Sequence, residues 1–358
     1  MQHKPVKLPA DHLPHKAIVE WWYFNGHLAD AKGKRYAFMD CLFKVDIKKI
    51  DFPVFRKIPF REKVISVPYV YFTHTALTDI GRQKSYKDIQ HLSLISADSF
   101  QRPRLYANYV NPLKLQDYVC AEIAETEPDR FHVKTDRVDL RLVSRKPPVM
   151  HGGQGLVTLC GRDMYYYSLT DMEATGLVKT DKGWVEVQGK AWMDHQWADL
   201  PLGTDKWSWF SLQLDDGLDI MVAEYDDGEC QDYLASAMDG QGKVWQTKDL
   251  DLAPGHEIWR SPQTKAKYPL AWEVAIPEKD IKLQVRSLID KQEMIFGSIN
   301  YWEGPLEVSG TVQGKPVRGQ GFMELVGYPS DYNYLMLATK DINRKIRRWI
   351  TGRGDLDI

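Results

Sequence analysis

Short runs of alternating apolar and polar residues, separated by turns rich in glycine and aspartate, extend over most of the chain. Arg35 to Val45 follows a turn at residues 31–34, and Leu218 to Tyr225 lies between two Asp-Gly turns. A two-residue period flanked by such turns is typical of antiparallel hairpins. Further strands are predicted at residues 69–78, 91–96, 130–143, 156–159, 184–192, 271–275, 283–288 and 306–311. The pattern therefore predicts an all-β fold of barrels or sandwiches.

A helical period is found near the C-terminus. Between residues 340 and 350, Ile342, Ile346, Trp349 and Ile350 share one face, and basic residues take the other. This spacing predicts a short basic amphipathic helix. Such a helix either packs its apolar stripe on a barrel wall or contacts an anionic membrane.

The insertion from Lys48 to Lys63 combines aromatic and basic side chains in the same way. Its phenylalanines are interleaved with Arg and Lys, and two prolines prevent a regular helix. An ordinary packed loop fits this composition, and so does a flap that takes an apolar ligand from a membrane surface. Peripheral membrane contact is therefore one expectation for this chain.

Two pairs of segments align between the halves of the chain. The aromatic strand Glu20–Leu28 matches Lys206–Leu214, and Val187–Asp194 matches Val317–Glu324. The matched starts are farther apart than the matched ends, as expected when the first copy carries loop insertions that the second lacks. The chain is therefore predicted to be internally duplicated.

Charge and composition indicate which class of molecule this chain binds. The formal net charge is -2, whereas nucleic-acid binding needs a concentrated positive surface, so no nucleic acid is expected. Hydrophobic residues make up 43% of the chain and aromatic residues 12%, with twelve Trp. Aromatic residues in such numbers favour strands and apolar ligand sites. An apolar small molecule is the expected partner.

Known sequence motifs of metal and cofactor chemistry are missing. The sequence has no P-loop, no G-x-S-x-G run and no H-E-x-x-H run, and His12, His15 and His151 lack the spacing of a metal ligand set. We therefore expect chemistry that needs no cofactor and no metal.

The four cysteines, Cys41, Cys120, Cys160 and Cys230, are widely spaced along the chain. They form neither a C-x-x-C pair nor a dense framework, so neither a zinc site nor a disulfide scaffold is predicted. We expect them to be buried, reduced side chains.

The first twenty residues lack the apolar run of a secretory signal, and no segment approaches the ~18 apolar residues of a membrane span. A cytoplasmic or membrane-peripheral location is the expectation, or a periplasmic one if a leader has been removed.

Four motifs together resemble the AttH and carotenoid 1,2-hydratase superfamily. They are Glu20–Tyr23, His74–Asp79, Trp192–Trp197 and Gly319–Tyr328, and they span nearly the whole chain. The resemblance implies two lipocalin-like β-barrels in tandem. Residues 1–200 would form the N-terminal barrel with its insertions, and residues 201–358 the C-terminal barrel with its short basic helix.

The superfamily that the chain resembles is functionally mixed. It includes hydratases of carotenoids and of a prenylated isoflavonoid, proteins that promote pericyclic ring closures, and AttH-type proteins encoded with ABC transporter components. Its members share an apolar, often isoprenoid-like ligand held in or between two barrels. The resemblance thus implies either an acid-catalysed hydratase or a non-catalytic carrier or accessory of an ABC transport system.

Hydration of an alkene needs a strong acid, surroundings that tolerate a cation, and a placed water. A buried carboxylic acid stays protonated near neutrality because desolvation raises its pKa. Asp194 is the candidate acid, and Trp192, two residues earlier in the same strand, shares its face. This pair resembles the tyrosine-x-aspartate pair of the hydratases, with tryptophan in place of tyrosine.

The hydratases also carry histidine and tryptophan on the preceding strand, where the nearest match here is Tyr165 and Tyr167. This departure weakens the inference that the substrate is a carotenoid. The resemblance still implies an acid-catalysed step on another apolar ligand. A different interpretation comes from Glu324, which holds the place of Asp194 in the second repeat. Carboxylates that recur in both repeats fit a structural task, such as bonding backbone N–H groups.

Five residues are predicted to contact the ligand: His74, Trp22, His195, Trp209 and Glu324. His74 is either a polar group of the site or a hydrogen-bonded histidine of the barrel wall. Trp22 and Trp209 belong either to the ligand wall or to the closed end of a barrel. His195 follows Asp194 in a strand and is expected to point to the opposite face.

Overall fold

The computed structural model describes residues 4–49, 69–110, 121–200, 205–296 and 299–332, and only the backbone of His91. Most of the insertion up to Lys63, Cys120 and the predicted helix at residues 340–350 lie outside these ranges. Within them, no helix has the length and apolar character that a membrane crossing requires.

The described residues form an all-β fold with almost no helix, as predicted. Three 3₁₀ turns are present, at Ala10–His12, Ile80–Arg82 and Pro277–Lys279. In chain order the strands are β1 (Val19–Ala29), β2 (Arg35–Asp46), β3 (Tyr69–Asp79), β4 (Lys84–Ile95), β5 (Tyr106–Val110), β6 (Ala121–Glu127), β7 (Arg130–Lys134), β8 (Val138–Ser144), β9 (Val149–Met150), β10 (Leu156–Leu159), β11 (Arg162–Thr180), β12 (Gly183–Ala198), β13 (Lys206–Leu214), β14 (Asp219–Asp226), β15 (Gln231–Met238), β16 (Val244–Thr247), β17 (Asp251–Pro254), β18 (Ile258–Arg260), β19 (Lys267–Pro269), β20 (Ala271–Ile276), β21 (Ile281–Ser287), β22 (Glu293–Phe296), β23 (Ile299–Val312) and β24 (Lys315–Val326).

Ten antiparallel strands close into a barrel. Their order is β11-β12-β1-β2-β3-β4-β5-β6-β7-β8, and β8 returns to pair with β11. Strands β9 and β10 pair with the other half of the long β11. Alternate residues, among them Trp22, Phe24 and Met193, point inward and form the barrel core.

The second half of the chain forms another antiparallel sheet, in the order β16-β15-β14-β13-β24-β23-β21-β20-β17, with β22 paired to β23. It surrounds a separate core that includes Phe210, Trp302 and Met323. Among the described residues, no pairing joins the two ends of this sheet. The second closed barrel and the division between residues 200 and 201 therefore stay predictions.

The segments that align in the sequence occupy equivalent positions in the two sheets. Leu28 lies opposite Gly189 in the first sheet, and Leu214 lies opposite Gly319 in the second. A Cβ atom on Gly189 would meet the His27 carbonyl oxygen at 1.9 Å, so glycine is needed for the close approach of these strands. The matched register agrees with the predicted alignment.

The outer face of the barrel packs against the outer face of the second sheet. Tyr23, Trp192 and Tyr166 from the barrel join Trp209 and Phe322 from the second sheet in one buried cluster, which we call the interface core. Strand β1 lies against β24, β11 against β13 and β14, and β4 against β22. The two sheets therefore face each other strand by strand over much of their width.

One edge of this interface is covalently fixed. Cys160, in the turn between β10 and β11, forms a disulfide with Cys230, which lies immediately before β15. The expectation of buried, reduced cysteines was wrong for this pair, since Cys160 is half-buried and Cys230 is exposed. The two residues are 70 positions apart, and only the fold brings them together. Cys41 is free and buried.

Hydrogen bonds hold the opposite edge of the interface. Lys87 Nζ donates to the Glu293 carbonyl oxygen at 3.0 Å, and Gln292 Nε2 donates to Thr78 Oγ1 at 2.8 Å. Both contacts join the barrel strands β3 and β4 to the segment around β22. The two edges of the interface are thus fastened by different kinds of bond.

Candidate active site

Asp194 lies in the interface core and is 1% exposed. Its carboxylate accepts three hydrogen bonds, from Tyr166 Oη at 2.7 Å, Ser168 Oγ at 2.5 Å and Trp192 Nε1 at 2.7 Å. It takes part in no ion pair among the described residues. Trp192 shares the face of Asp194, as predicted.

Burial raises the pKa of Asp194 to about 7, and the hydrogen bonds from Ser168, Tyr166 and Trp192 limit this rise. Desolvation dominates because no cation among the described residues compensates the buried charge. Near neutral pH the carboxyl group therefore exists in both protonation states, which is the condition for donating and recovering a proton.

A chain of hydrogen bonds leads from Asp194 to a buried imidazole. Ser168 Oγ donates to Asp194 Oδ1, and His151 Nε2 lies 2.7 Å from the same Oγ. Burial lowers the pKa of His151 to about 3, so its ring is neutral. The His151 ring also packs on Tyr166, with the centroids 3.8 Å apart. The neutral imidazole therefore helps to hold the Ser168 hydroxyl in place to donate to Asp194.

Trp209 of the second sheet contacts the residues that surround Asp194. Its indole N–H donates to the Tyr166 hydroxyl at 3.0 Å, and its ring meets Tyr23 edge-on with the centroids 5.6 Å apart. Trp192 contacts the same indole edge-on at 6.5 Å. Aromatic rings from both sheets thus surround the Asp194 carboxyl group.

Two further carboxyl groups enter the interface from the second sheet. Glu303 on β23 and Glu324 on β24 lie directly opposite each other in the antiparallel ladder. Glu303 is 1% exposed and Glu324 is half-buried. Burial and the charge of Glu324 raise the pKa of Glu303 well above its usual range, and burial and the charge of Asp194 raise that of Glu324, against a hydrogen bond from Trp207.

His74 lies in the same interface. Its Nδ1 is 2.5 Å from the Tyr301 hydroxyl on β23, and its ring stands beside Phe43 and Phe296. Of the predicted ligand contacts, His74, Trp209 and Glu324 are therefore brought together with Asp194 between the sheets. Their contact with a ligand stays a prediction.

The other predicted site residues lie on the opposite face of the barrel wall. Trp22 and His195 stack inside the barrel with their centroids 4.7 Å apart, and Tyr167 Oη is 3.1 Å from His195 Nδ1. Tyr165 stacks on Trp197 on that same inner side. His195 points away from Asp194, as predicted.

The placement of Tyr165 and Tyr167 beside Asp194 was wrong, and a β-bulge is the reason. The pairs of the β11–β12 hairpin between its turn and Met172 share one register. Between Met172 and Leu169, farther from the turn, the register shifts by one residue. The shift places Ser168 opposite Asp194. A one-residue shift exchanges the two faces of a strand, so Tyr166 and Ser168 take the positions expected for the two tyrosines.

The inner polar residues form an ion-paired network that closes the barrel end. Glu20, fully buried, binds Lys44 Nζ at 2.8 Å, His15 Nδ1 at 2.8 Å and His195 Nε2 at 3.0 Å. Burial would raise the pKa of Glu20, but these partners lower it to about 2. Trp22 Nε1 donates to the His12 carbonyl oxygen at 2.8 Å, which anchors the N-terminal segment over the barrel end.

His15, Glu20 and His195 bring three donors of metal-binding type within 4.8 Å of one another, which their sequence spacing did not indicate. The buried ammonium of Lys44 occupies the second oxygen of Glu20, and a divalent cation beside it would meet strong repulsion. The group fits an ion-paired closure of the barrel better than a metal centre.

Several residues of the interface were missed by the sequence analysis. Tyr166 and Ser168 were hidden by the bulge in β11, because no sequence pattern marks it, and His151 lies in the turn after β9, where only the fold brings it to Ser168. Glu303 had a usable signal, since a two-residue turn at Gln313 and Gly314, both with positive φ, fixes the register of β23 on β24. Counting back from that turn places Glu303 opposite Glu324.

Solved structures share this fold. A protein described as AttH from Nitrosomonas europaea superposes with a TM-score of 0.70 at 23% identity, over 92% of this chain and 99% of that one. Kievitone hydratase from Nectria haematococca superposes with a TM-score of 0.68 at 15% identity, over 90% of this chain and 93% of that one.

Sequence relatives include two enzymes. Kievitone hydratase of Fusarium solani subsp. phaseoli is 22% identical over 85% of this chain and 81% of its own length. The dehydratase asqC of Emericella nidulans is 25% identical over 52% of this chain and 57% of its own length. Residues 1–328 match the AttH-like family. The chain therefore belongs to the AttH-like family.

Proposed function

We propose that this chain adds water to a C=C bond of an apolar, isoprenoid- or lipid-like small molecule, or removes water to form one, with Asp194 as the acid. The observation that carries the proposal is the Asp194 carboxyl group itself. It is buried between two sheets, lacks an ion-pair partner among the described residues, and has a pKa of about 7. An aspartate that is half protonated near neutrality suits general acid catalysis.

The reaction requires surroundings that tolerate a carbocation. Aromatic faces attract cations, by about 2 kcal/mol each when desolvated. The rings of Tyr23, Trp192 and Trp209 stand around Asp194, from both sheets. A prenyl-type alkene in contact with these rings would be protonated by Asp194, and the tertiary cation would face aromatic groups.

The relatives support this reaction class in both directions. One is a hydratase and the other a dehydratase, and hydration and dehydration pass through the same transition state. The proposed ligand class rests on the superfamily resemblance and on the aromatic, apolar interface core.

A non-catalytic carrier, or an AttH-type accessory of an ABC transport system, is the alternative. It requires the same apolar ligand but no proton transfer. Under this alternative Asp194 would be a structural carboxylate that bonds Tyr166, Ser168 and Trp192. Native mass spectrometry of freshly purified protein would then find a bound lipid or isoprenoid that is never chemically changed.

The test uses kievitone, other prenylated phenols and linear isoprenoid alcohols as probes. Purified protein is incubated with each probe in ¹⁸O-labelled water, and products are analysed by mass spectrometry. The proposal expects a product heavier by one labelled water, and a loss of this product by about 10²–10⁴-fold in Asp194→Asn. Binding of a probe without any product in wild type would overturn the enzyme and favour the carrier.

Asp40→Asn is the matched control for this experiment. Asp40 is also fully buried and accepts a hydrogen bond from Tyr109, and burial raises its pKa to about 7. It lies opposite Phe24, whose side chain belongs to the barrel core. Equal loss of product in both variants would show that the effect comes from disturbed folding rather than from the Asp194 acid.

A further inference from the structure

We infer that Glu303 and Glu324 form a proton-sharing pair that takes the proton from the attacking water in the proposed hydration. This inference rests on the proposed function and adds the base to its acid. It places the two halves of the reaction on different sheets, with Asp194 on the barrel and the glutamate pair on the second sheet.

The geometry of the pair is fixed by its hairpin. Glu303 and Glu324 are direct cross-strand neighbours, so their Cβ atoms are separated by about 4.5–5.5 Å on the same face of the sheet. Like charges at directly opposed positions destabilise a ladder. No ion pair among the described residues contains either glutamate. With no cation from the described part of the chain to neutralise them, the two groups favour a state in which one holds a proton and the other is ionised.

Each glutamate has a distinct environment. Trp207 Nε1 donates to Glu324 Oε1 at 2.5 Å, which favours the ionised form of Glu324. Glu303 lies deeper, and burial contributes most to its raised pKa. The shared proton therefore resides mainly on Glu303, and Glu324 supplies the carboxylate.

Tyr23 contacts Glu303 from the facing barrel wall, where its side chain is buried. Burial and the charge of Glu303 raise the pKa of Tyr23 well above its usual range, and hydrogen bonding from Tyr23 limits the rise in the pKa of Glu303. The glutamate pair therefore meets the barrel that carries Asp194 through a phenol that can donate to Glu303.

The proton balance of the reaction closes with these three acids. The alkene π electrons take the proton of Asp194 to form a C–H bond, which leaves a cation on the neighbouring carbon. Water attacks this carbon to form the C–O bond, and its surplus proton passes to the ionised glutamate. The pair then returns a proton to Asp194, whose charge already raises the pKa of Glu324, so the net change is one water added.

The first experiment needs no substrate. Infrared spectra of purified protein, recorded across a pH titration, follow the C=O band of protonated carboxyl groups in wild type, Glu303→Gln and Glu324→Gln. A shared proton predicts a band that persists above neutral pH in wild type. Each glutamine variant should lower the pH at which that band disappears. The substitution removes the neighbouring negative charge that raises the pKa of the remaining glutamate.

Glu224→Gln is the matched control, since Glu224 is buried in the second sheet and binds Ser208 away from the interface. It should leave the persistent band unchanged. Glu324 is half-buried, so Glu324→Gln remains informative if Glu303→Gln fails to fold. A band that is unchanged in a folded Glu324→Gln protein, or one that disappears only in Asp194→Asn, would overturn the pair.

The second experiment tests the base role with any probe that wild type hydrates. Glu324→Gln should lower kcat by about 10²–10⁴-fold with little change in KM, and should abolish the fall of activity at acidic pH. Unchanged kcat would overturn the base role. The infrared band could shift as expected while wild type hydrates none of the probes. That pair of results would support the shared proton but overturn both the base role and the proposed function.

Discussion

The indole N–H of Trp209 donates to the Tyr166 hydroxyl at 3.0 Å, and Tyr166 in turn donates to Asp194. A residue of the second sheet thus tunes an acid on the barrel through one intervening hydroxyl. Hydrogen bonds in such a chain polarise one another, so the indole makes Tyr166 a better donor to the carboxylate.

Trp209→Phe should therefore raise the pKa of Asp194 and lower the free energy of unfolding by about 1 kcal/mol. The infrared band of protonated Asp194, assigned by its loss in Asp194→Asn, measures the first effect, and urea unfolding measures the second. Trp302→Phe is the control, because it removes an indole hydrogen bond to the Asp290 carbonyl oxygen outside the interface. A shift of the Asp194 band in that control would contradict the specific link.

Ser168→Ala should raise the pKa of Asp194 further, since Ser168 donates its shortest hydrogen bond. If Asp194 acts as the acid, the fall of activity at alkaline pH should move to higher pH in this variant. Ser168→Thr should restore the wild-type profile. The control is Ser208→Ala, which removes a buried serine hydroxyl bonded to Glu224 in the second sheet. An unchanged Asp194 band in Ser168→Ala would contradict the role of the serine.

Asp194 should make the protein less stable as pH rises. Its pKa increases from 3.8 to about 7 on folding, so between these values the folded chain holds a proton that the unfolded chain has released. Stability from this group is therefore lost between about pH 4 and 7, by up to roughly 4 kcal/mol at about 1.4 kcal/mol per pKa unit. Urea unfolding across this range should show Asp194→Asn gaining stability relative to wild type. A difference that is constant with pH would refute the shifted pKa.

Glu20 should show the opposite dependence on pH. Its pKa falls from 4.5 to about 2 on folding, so its contribution to stability is present above about pH 4.5 and is lost as pH falls toward 2. At neutral pH, Glu20→Gln should cost about 3–5 kcal/mol because it leaves Lys44 buried without its countercharge. Chemical denaturation measures this loss. The double variant Glu20→Met with Lys44→Met should recover part of it, and failure to do so would place the cost elsewhere.

The Cys160–Cys230 disulfide closes a loop of 70 residues, and its loss should reduce the free energy of unfolding by about 4 kcal/mol on the loop-closure model. Denaturant unfolding of Cys160→Ala with Cys230→Ala, compared with wild type in the oxidised state, measures the change. Cys41→Ala is a control that removes a buried cysteine but no crosslink. Equal stability of the double variant and wild type would contradict the disulfide.

Local pattern was sufficient to predict most of the strands. Leu156–Leu159 was predicted with its observed bounds, because turns flank a short apolar run. The predicted strand from Arg130 to Val143 is two strands, β7 and β8, since Thr135 Oγ1 accepts from the Arg137 and Val138 amides and turns the chain between them. A polar turn inside an apolar run is difficult to detect without its hydrogen bonds.

The candidate site depends on long-range contacts that cannot be predicted from the order of residues along the chain. Asp194 and Trp192 were found because a two-residue spacing places them on one face. Ser168 escaped detection because the bulge in β11 moves the register by one residue. Tyr301 reaches His74 from a strand 227 residues later, and this pairing arises only from the packing of one sheet on the other.

The disulfide between Cys160 and Cys230 also limits how far the two sheets can move apart at that edge. The hydrogen bonds and apolar contacts at the Lys87 and Gln292 edge can break and re-form, whereas the covalent bond cannot. If a ligand enters between the sheets, as the proposed function requires, we expect the opening to begin beside β4 and β22, where His74 and Tyr301 lie.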